Sequence, residues 1–177
     1  MADRFLEDES DKLRVGVAGL LPDLDAAGVV VDLATKVCGI SPTDLYASGH
    51  HYFLHGGAGV MALSVAMALR AQARLKVFLL SLLVGHLHLL CDLVGSRGPD
   101  PEDFWPIYYW GPFTRHAGVM LWKGQWRLDG WQNVLLTCVL LIWLFHRMRA
   151  GSSPFAVPFP RVHRALVETL QRRFGPP

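Results

Sequence analysis

The most informative pattern in the chain is an apolar run at residues 77–95 that small and polar residues interrupt at helical spacing. The interrupting residues are Ser81, Gly85, His88 and Asp92, and steps of four, three and four place them on one stripe of an α-helix. An imidazole and a carboxylate are costly to bury in apolar surroundings without partners. The stripe therefore predicts either that Asp92 holds His88 in one tautomer within a core, or that both side chains reach one metal ion or one proton.

Two more apolar segments, at residues 55–74 and 131–147, are predicted to be helices. Only residues 71–76 separate the first of them from the striped helix, so these two helices should form an antiparallel hairpin. Small residues in the first segment permit close contact between the helices. The hairpin brings the start of its first helix to the end of its second.

The segment before the hairpin is broken by proline. Pro22 ends whatever element precedes it, and Asp23 or Asp25 is expected to cap a helix that runs to about residue 36. Pro22 also leaves the two aspartates in an irregular segment that is able to come alongside the hairpin.

The segments after the hairpin are of mixed character. Residues 96–130 are loop-rich and aromatic, which favours a satellite core or an interfacial belt. A proline-rich bend leads to a basic amphipathic helix at residues 161–174. The predicted organisation is one helical domain at residues 1–150 and a tail at residues 151–177.

Composition narrows the class of protein. Of the 177 residues, 51% are hydrophobic, which is a high share for a soluble domain. The net charge is only +2, so no nucleic-acid partner is expected. The three cysteines, Cys38, Cys91 and Cys138, are isolated, and they indicate neither a disulfide framework nor a thiolate zinc site.

Charge and hydropathy together predict an all-α, membrane-embedded multi-helix bundle. The striped helix has about the 20 apolar residues that a spanning helix requires, whereas the other two helices have about 15 each. Arg70, Arg74 and Lys76 cluster in the hairpin turn, and Arg147 and Arg149 follow the last apolar helix. The positive-inside rule places both clusters in the cytoplasm, which is consistent with an integral, multi-pass protein of the cell membrane. The alternative is a soluble bundle with buried helices.

The candidate metal-binding residues are predicted to lie at the end of the hairpin away from the basic turn. The residues expected there are His50, His51, His55, His88 and Asp92, with Asp23 and Asp25 able to join them. Imidazole and carboxylate without thiolate are the ligands of zinc, manganese or iron sites. Helical spacing pairs His51, rather than His50, with His55.

Three blocks of sequence resemble the YdjM type of membrane-bound, metal-dependent hydrolases, a family distantly similar to zinc-dependent phospholipase C. Residues 20–25 resemble its L-P-D-x-D block, and residues 50–55 are similar to its H-R-x-x-T-H-S block. Residues 88–92, followed by Gly95 and by Trp105 with Pro106, resemble its H-L-L-x-D block and the residues that follow it. The resemblance covers about residues 15–113. The metal-site candidates that it implies are Asp23, Asp25, His50, His55, His88 and Asp92.

The hypothesis that follows is a membrane-associated hydrolase of an ester or phosphoester, with zinc or manganese as cofactor. His50, His55, His88 and Asp92 would hold the metal with Asp23 or Asp25, and an aspartate not bound to metal would act as general base. Its partners would be membrane lipid and a small-molecule or lipid-like substrate, and its oligomeric state stays open.

Three further residues have predicted roles in this hypothesis, and two alternative functions are considered. Arg97 and Arg115 are expected to neutralise an anionic substrate, and His116 is a further ligand candidate. One alternative is haem held by histidines such as His88 and His146. The other is a non-catalytic membrane adaptor whose basic tail lies on anionic lipid.

Overall fold

The computed structural model describes residues 5–41, 43–49 and 52–175, and it leaves the side chains of residues 47 and 48 undescribed. Contacts group the chain into two units, residues 1–128 and residues 129–177, and each unit is described by itself. The predicted all-α class is confirmed, because helices make up most of the described chain. The predicted boundary near residue 150 stays a prediction.

The first unit is a helical bundle with one small sheet. Its elements are α1 (Glu9–Ala18), a 3-10 helix (Leu21–Ala27), α2 (Gly28–Val37), α3 (Leu45–Gly49), α4 (Gly57–Leu69), α5 (Arg74–Gly95), β1 (Ile107–Tyr108) and β2 (Val119–Met120). The second unit contains α6 (Trp131–Arg149) and α7 (Pro160–Phe174).

The α4–α5 hairpin predicted from the sequence forms the centre of the first unit. The stripe residues Ser81 and Gly85 of α5 are buried. A Cβ atom on Gly85 would lie 2.5 Å from the side chain of Val60 in α4, so glycine permits the helices to approach this closely. Val60 and Leu89 pack in one core cluster beside this contact. The polar stripe therefore faces the partner helix rather than the outside.

α1 packs at the basic end of the hairpin. Val15 of α1 forms a core cluster with Ala71 and Val77, which lie in the turn and at the start of α5. Asp11 on the same helix is also buried, and its carboxylate accepts hydrogen bonds from the turn. α1 thus closes the basic end of the hairpin.

The proline-broken segment differs from its prediction. The 3-10 helix contains both Asp23 and Asp25, and Ala27 is the N-cap of α2 with no side-chain cap hydrogen bond. The expectation that one of the aspartates caps the following helix is therefore wrong. The physical reason, at least for Asp25, is that its carboxylate binds the backbone of Leu54 and His55 instead.

The aromatic segment contains a two-stranded antiparallel sheet that the sequence pattern did not indicate. Ile107 of β1 is buried and joins the core cluster of the hairpin. Tyr109, the first residue after β1, lies over Gly57, and its backbone carbonyl accepts a hydrogen bond from Ala58. The sheet is consequently fixed to the start of α4, which agrees with the satellite-core alternative.

Two helices are long and apolar enough to cross a membrane: α5, with mean hydropathy 2.1, and α6, with mean hydropathy 1.2. α4 has 13 residues, fewer than the ~20 that a simple span requires. The exposed side chains of α5 are mainly leucines on the side away from α4: Leu75, Leu79, Leu83, Leu87 and Leu90. Two of the three predicted spans thus have the required length.

Candidate metal centre

A buried aspartate orients the first histidine of the site. Asp25 Oδ1 lies 2.7 Å from His55 Nδ1, and Asp25 Oδ2 accepts backbone hydrogen bonds from Leu54 and His55 at 3.2 and 3.3 Å. The side chains of Asp25 and His55 are only 3% and 1% exposed. Because an ionised carboxylate can only accept, Nδ1 of His55 carries the proton and Nε2 presents a lone pair.

The second histidine comes from the stripe of α5. His88 Nε2 lies 3.3 Å from His55 Nε2, so the two rings meet nitrogen to nitrogen. Asp92, one turn later on α5, places Oδ2 3.2 Å from His88 Nε2 and 3.6 Å from His55 Nε2. The hydroxyl of Ser96 donates to the other oxygen of Asp92 at 3.3 Å.

A third carboxylate reaches the same two nitrogens from the 3-10 helix. Asp23 Oδ1 lies 3.3 Å from His55 Nε2 and 3.5 Å from His88 Nε2. The ligand atoms of Asp23, His55 and His88 all lie within 4.8 Å of one another. The side chain of Asp23 is 58% exposed, so this carboxylate stands where water enters the cluster.

The spacing of these atoms fits a tetrahedral ion. Ligand bonds of 2.0–2.1 Å at zinc imply about 3.3–3.4 Å between neighbouring ligand atoms. The two histidine Nε2 atoms and Asp23 Oδ1 form a triangle of this size, with edges of 3.3, 3.3 and 3.5 Å. The same two nitrogens and Asp92 Oδ2 form a second triangle, with edges of 3.2, 3.3 and 3.6 Å. Each triangle corresponds to one face of a zinc tetrahedron and leaves a fourth position for water, as catalytic zinc sites require.

The structure therefore brings together Asp23, Asp25, His55, His88 and Asp92. Asp25 differs from the other four, because it binds Nδ1 of His55 rather than the side on which Nε2 lies. His50 and His51 lie outside the described residues, and their assignment stays a prediction.

The two predicted arginines lie in the loops of the same unit. Arg115 stacks its guanidinium 4.1 Å from the ring centre of Tyr52, three residues before His55. The backbone of Arg97, five residues after Asp92, pairs with the segment at residues 126–128. Their proposed binding of an anionic substrate stays a prediction. His116 is exposed, and its backbone N–H donates to the hydroxyl of Thr114.

Sequence reasoning missed two residues near the site. Ser96 continues the polar stripe of α5 by four residues, so extending the helical pattern past Asp92 would have found it. Tyr46 on α3 was not identifiable from any local pattern. Burial raises the pKa of the Tyr46 phenol, and the negative charge of Asp25 raises it further.

His86, another histidine of α5, is packed by two hydrogen bonds. Its Nδ1 lies 2.8 Å from the carbonyl oxygen of Leu82, and its Nε2 lies 3.0 Å from the hydroxyl of Tyr109. A carbonyl can only accept, so Nδ1 donates and the Tyr109 hydroxyl donates to Nε2. Both nitrogens are thus occupied by structural hydrogen bonds.

A family model described as YdjM inner membrane protein matches residues 2–152. No curated protein and no solved structure matches the chain. The matched stretch includes every site residue described above and ends before α7.

Proposed function

The chain belongs to the YdjM inner membrane protein family, and from this premise we propose that it is a membrane-associated, metal-dependent hydrolase of ester or phosphoester bonds. The cofactor is a divalent metal, zinc or manganese. The observation that carries the proposal is the 3.3 Å approach of His55 Nε2 to His88 Nε2 beside two carboxylates. Two Nε2 atoms that both present lone pairs would repel at this distance, and a shared cation would satisfy them together with the carboxylates.

Three side chains hold the ion in this proposal: His55, His88 and Asp92. Asp25 changes from the direct ligand predicted by the resemblance to an orienting carboxylate, because it binds the far nitrogen of the His55 ring. Carboxylates in this position fix the tautomer and ring orientation of a ligating histidine. Ser96 has the corresponding role for Asp92, since it donates to the oxygen that faces away from the two histidines.

Asp23 is the general base of the proposal. It is the most exposed of the site carboxylates, and it lies within 3.5 Å of both ligating nitrogens. A water molecule at the open ligand position would therefore lie within reach of its carboxylate, which accepts the proton during attack. The bound ion polarises the scissile ester or phosphoester and lowers the pKa of the attacking water.

The surroundings of the site favour a lipid-like substrate. Leu20 and Leu24 flank Asp23 and are exposed, and so is Phe53 beside the His55 segment. The next helix, α2, has no buried residue and exposes five apolar side chains: Val29, Val30, Val31, Leu33 and Val37. An exposed carboxylate bordered by apolar side chains suits a substrate with a polar head and an acyl tail.

The topology that we propose is multi-pass, with α5 and α6 as spans. Arg74 and Lys76 stand at the start of α5, whereas Asp92 stands near its end. Under the positive-inside rule the basic end lies in the cytoplasm, so the metal site faces the opposite side of the membrane.

The first test is metal analysis of full-length protein purified in mild detergent without chelator. We expect near-stoichiometric zinc or manganese in the wild type and its loss in Asp92→Ala. His116→Ala is the matched control, because His116 is an exposed histidine that takes part in none of the cluster contacts described above, and this variant should retain the metal. Absence of metal from the wild type, or full metal content in Asp92→Ala with helices intact by circular dichroism, would refute the assignment.

The second test is hydrolysis by the metal-loaded protein. The probes are bis(p-nitrophenyl) phosphate, p-nitrophenyl butyrate and phosphatidylglycerol in mixed micelles. Turnover of at least one probe that disappears on metal removal and returns on zinc addition supports the proposal. A metal-loaded protein inactive on all three would favour the non-catalytic adaptor.

A further inference from the structure

α7 lies beyond the stretch matched by the family model, and the proposed hydrolase site uses none of its residues. Steps of four place Val162, Leu166, Leu170 and Phe174 on one apolar stripe of this helix. Arg161, Arg164 and Arg172 lie on its opposite face. Residues 131–177 contain six arginines and a single acidic residue, Glu168, so this part of the chain is strongly basic.

The C-terminal end of α7 is attached to the C-terminal end of α6. The Arg149 guanidinium donates to the carbonyl oxygens of Phe174 and Gly175 at 2.8 and 3.0 Å. The Gln171 amide donates to the carbonyl oxygen of Arg149 at 2.8 Å. The rings of Phe145 and Phe174 pack edge to face, with centroids 5.2 Å apart.

The N-terminal part of α7 is attached to the bend that follows α6. The Ser153 hydroxyl and His163 Nδ1 lie 2.9 Å apart. The middle of α6, by contrast, remains uncovered, since its apolar side chains between residues 134 and 143 are 50–61% exposed. α7 thus lies at the end of α6 and does not pack along its length.

This arrangement places α7 at the level of the lipid headgroups. α6 has 19 residues, which at 1.5 Å each span about 28 Å, close to the hydrocarbon thickness of a bilayer. Arg147 and Arg149 at its end mark the cytoplasmic side. A helix attached at that point therefore meets the inner leaflet, whose anionic lipids attract basic segments.

The surface of α7 and of the bend before it has both the apolar side chains and the positive charges that bind an anionic leaflet. The exposed apolar side chains are Phe155, Val157, Phe159, Val162 and Phe174. The exposed cations are Arg161, Arg164, Arg172 and Arg173. On α7 itself, Arg161, Arg164 and Arg172 lie opposite the apolar stripe, and this separation is the composition of an interfacial helix.

We infer that α7, together with the bend at residues 150–159, is an in-plane helix that binds the anionic surface of the inner leaflet. The apolar side chains enter the headgroup region, and the arginines bind lipid phosphates. The inference does not depend on the hydrolase site, and its test does not measure hydrolysis.

The test uses full-length protein in which Cys38, Cys91 and Cys138 are replaced by serine and a single NBD fluorophore is attached to a new cysteine. Val162→Cys reports on the apolar stripe, and Glu168→Cys is the matched control on the polar face of the same helix. Each protein is reconstituted into phosphatidylcholine vesicles with or without phosphatidylglycerol, and brominated acyl chains serve as quencher.

We expect the label at position 162 to be blue-shifted and strongly quenched in vesicles that contain phosphatidylglycerol, and the label at position 168 to be quenched much less. Arg161→Gln with Arg164→Gln, or high salt, should remove the difference while circular dichroism still shows helix. Equal quenching at both positions overturns the inference, and so does quenching that is independent of phosphatidylglycerol. A blue shift that depends on the protein-to-lipid ratio would assign the surface to a second copy of the chain and would also overturn it.

Discussion

A buried aspartate packs beside each end of the α4–α5 hairpin and accepts from two backbone N–H groups there, but the third partner differs. At the basic end, Asp11 is 1% exposed and accepts from the backbone N–H groups of Gln72 and Ala73 and from the Arg14 guanidinium. At the other end, Asp25 accepts from two backbone N–H groups and from the His55 ring.

The third partner is Arg14 for Asp11 and His55 for Asp25, and it determines what each end can do chemically. Arg14 is permanently charged and donor-only, so its pairing with Asp11 completes a structural contact. His55 has a second nitrogen, and the first one is held by Asp25, so the second points toward His88 with its lone pair. The same carboxylate environment therefore fixes a turn at one end and, in the proposed metal site, orients a ligand at the other.

The largest effect that separates the two ends concerns hydrolysis. Asp23→Asn should lower the turnover of a responsive probe by about 10²–10⁴-fold while the metal stays bound, because it removes a general base and not a required ligand. The matched change at the basic end, Asp8→Asn, should leave turnover unchanged, since asparagine also caps α1. Equal losses in both variants, measured as kcat at saturating metal, would contradict the distinction.

The next effect concerns stability. Asp11→Ala leaves two backbone donors and the Arg14 charge without their buried acceptor, so the free energy of unfolding should fall by about 3 kcal/mol. Metal stoichiometry should not change. Thermal unfolding by circular dichroism, with metal analysis on the same sample, checks both expectations. Metal loss without a lower Tm would mean that the basic end supports the site directly.

Asp25→Asn, at the other end of the hairpin, should lower metal affinity and should affect stability less than Asp11→Ala does. The amide is not a pure acceptor, so it no longer fixes the proton on Nδ1 of His55, and the wrong tautomer weakens the ligand. Metal affinity should fall by about 10–100-fold in competition with a chromophoric chelator. The Tm of the metal-free protein should fall by less than in Asp11→Ala, and unchanged affinity would show that Asp25 does not orient the ligand.

The smallest effect is a pH dependence that arises from Asp11 at the basic end. Burial raises the pKa of Asp11, but the backbone N–H groups of Ala73 and Gln72 and the Arg14 side chain more than offset it, so the pKa lies below 3.8. Ionised Asp11 therefore stabilises the fold fully above about pH 3.8, and this contribution is lost as pH falls through the lowered pKa.

Comparison with Asp11→Asn isolates this contribution. The difference in Tm between the wild type and the variant should be constant from neutral pH down to about pH 5 and should shrink below 3.8. A difference that grew on acidification would reverse the sign and contradict the assigned pKa direction.

The two ends also show what local sequence can predict. The stripe of Ser81, Gly85, His88 and Asp92 was predictable because helical periodicity is a local property. The hairpin followed from the short connection between two apolar segments, and it correctly brought His55 to Asp92. These features depend on spacing alone.

The partners of the buried aspartates were not predictable in this way. Asp25 binds residues 29 and 30 positions away, and Asp11 binds residues 61 and 62 positions away. Such pairs form when the backbone of a turn packs against a helix, and no local periodicity encodes them. Asp25 accordingly resembled a helix cap or a direct ligand, and no local pattern marked Asp11 as buried.

The most direct test of the metal site is zinc X-ray absorption on the full-length, zinc-loaded protein. Only nitrogen and oxygen ligands at about 2.0–2.1 Å are expected, with the multiple-scattering signature of two imidazoles, and His88→Ala should lose the bound zinc as Asp92→Ala does. Sulfur ligands at about 2.3 Å would place the zinc on Cys38, Cys91 or Cys138 and would contradict the account.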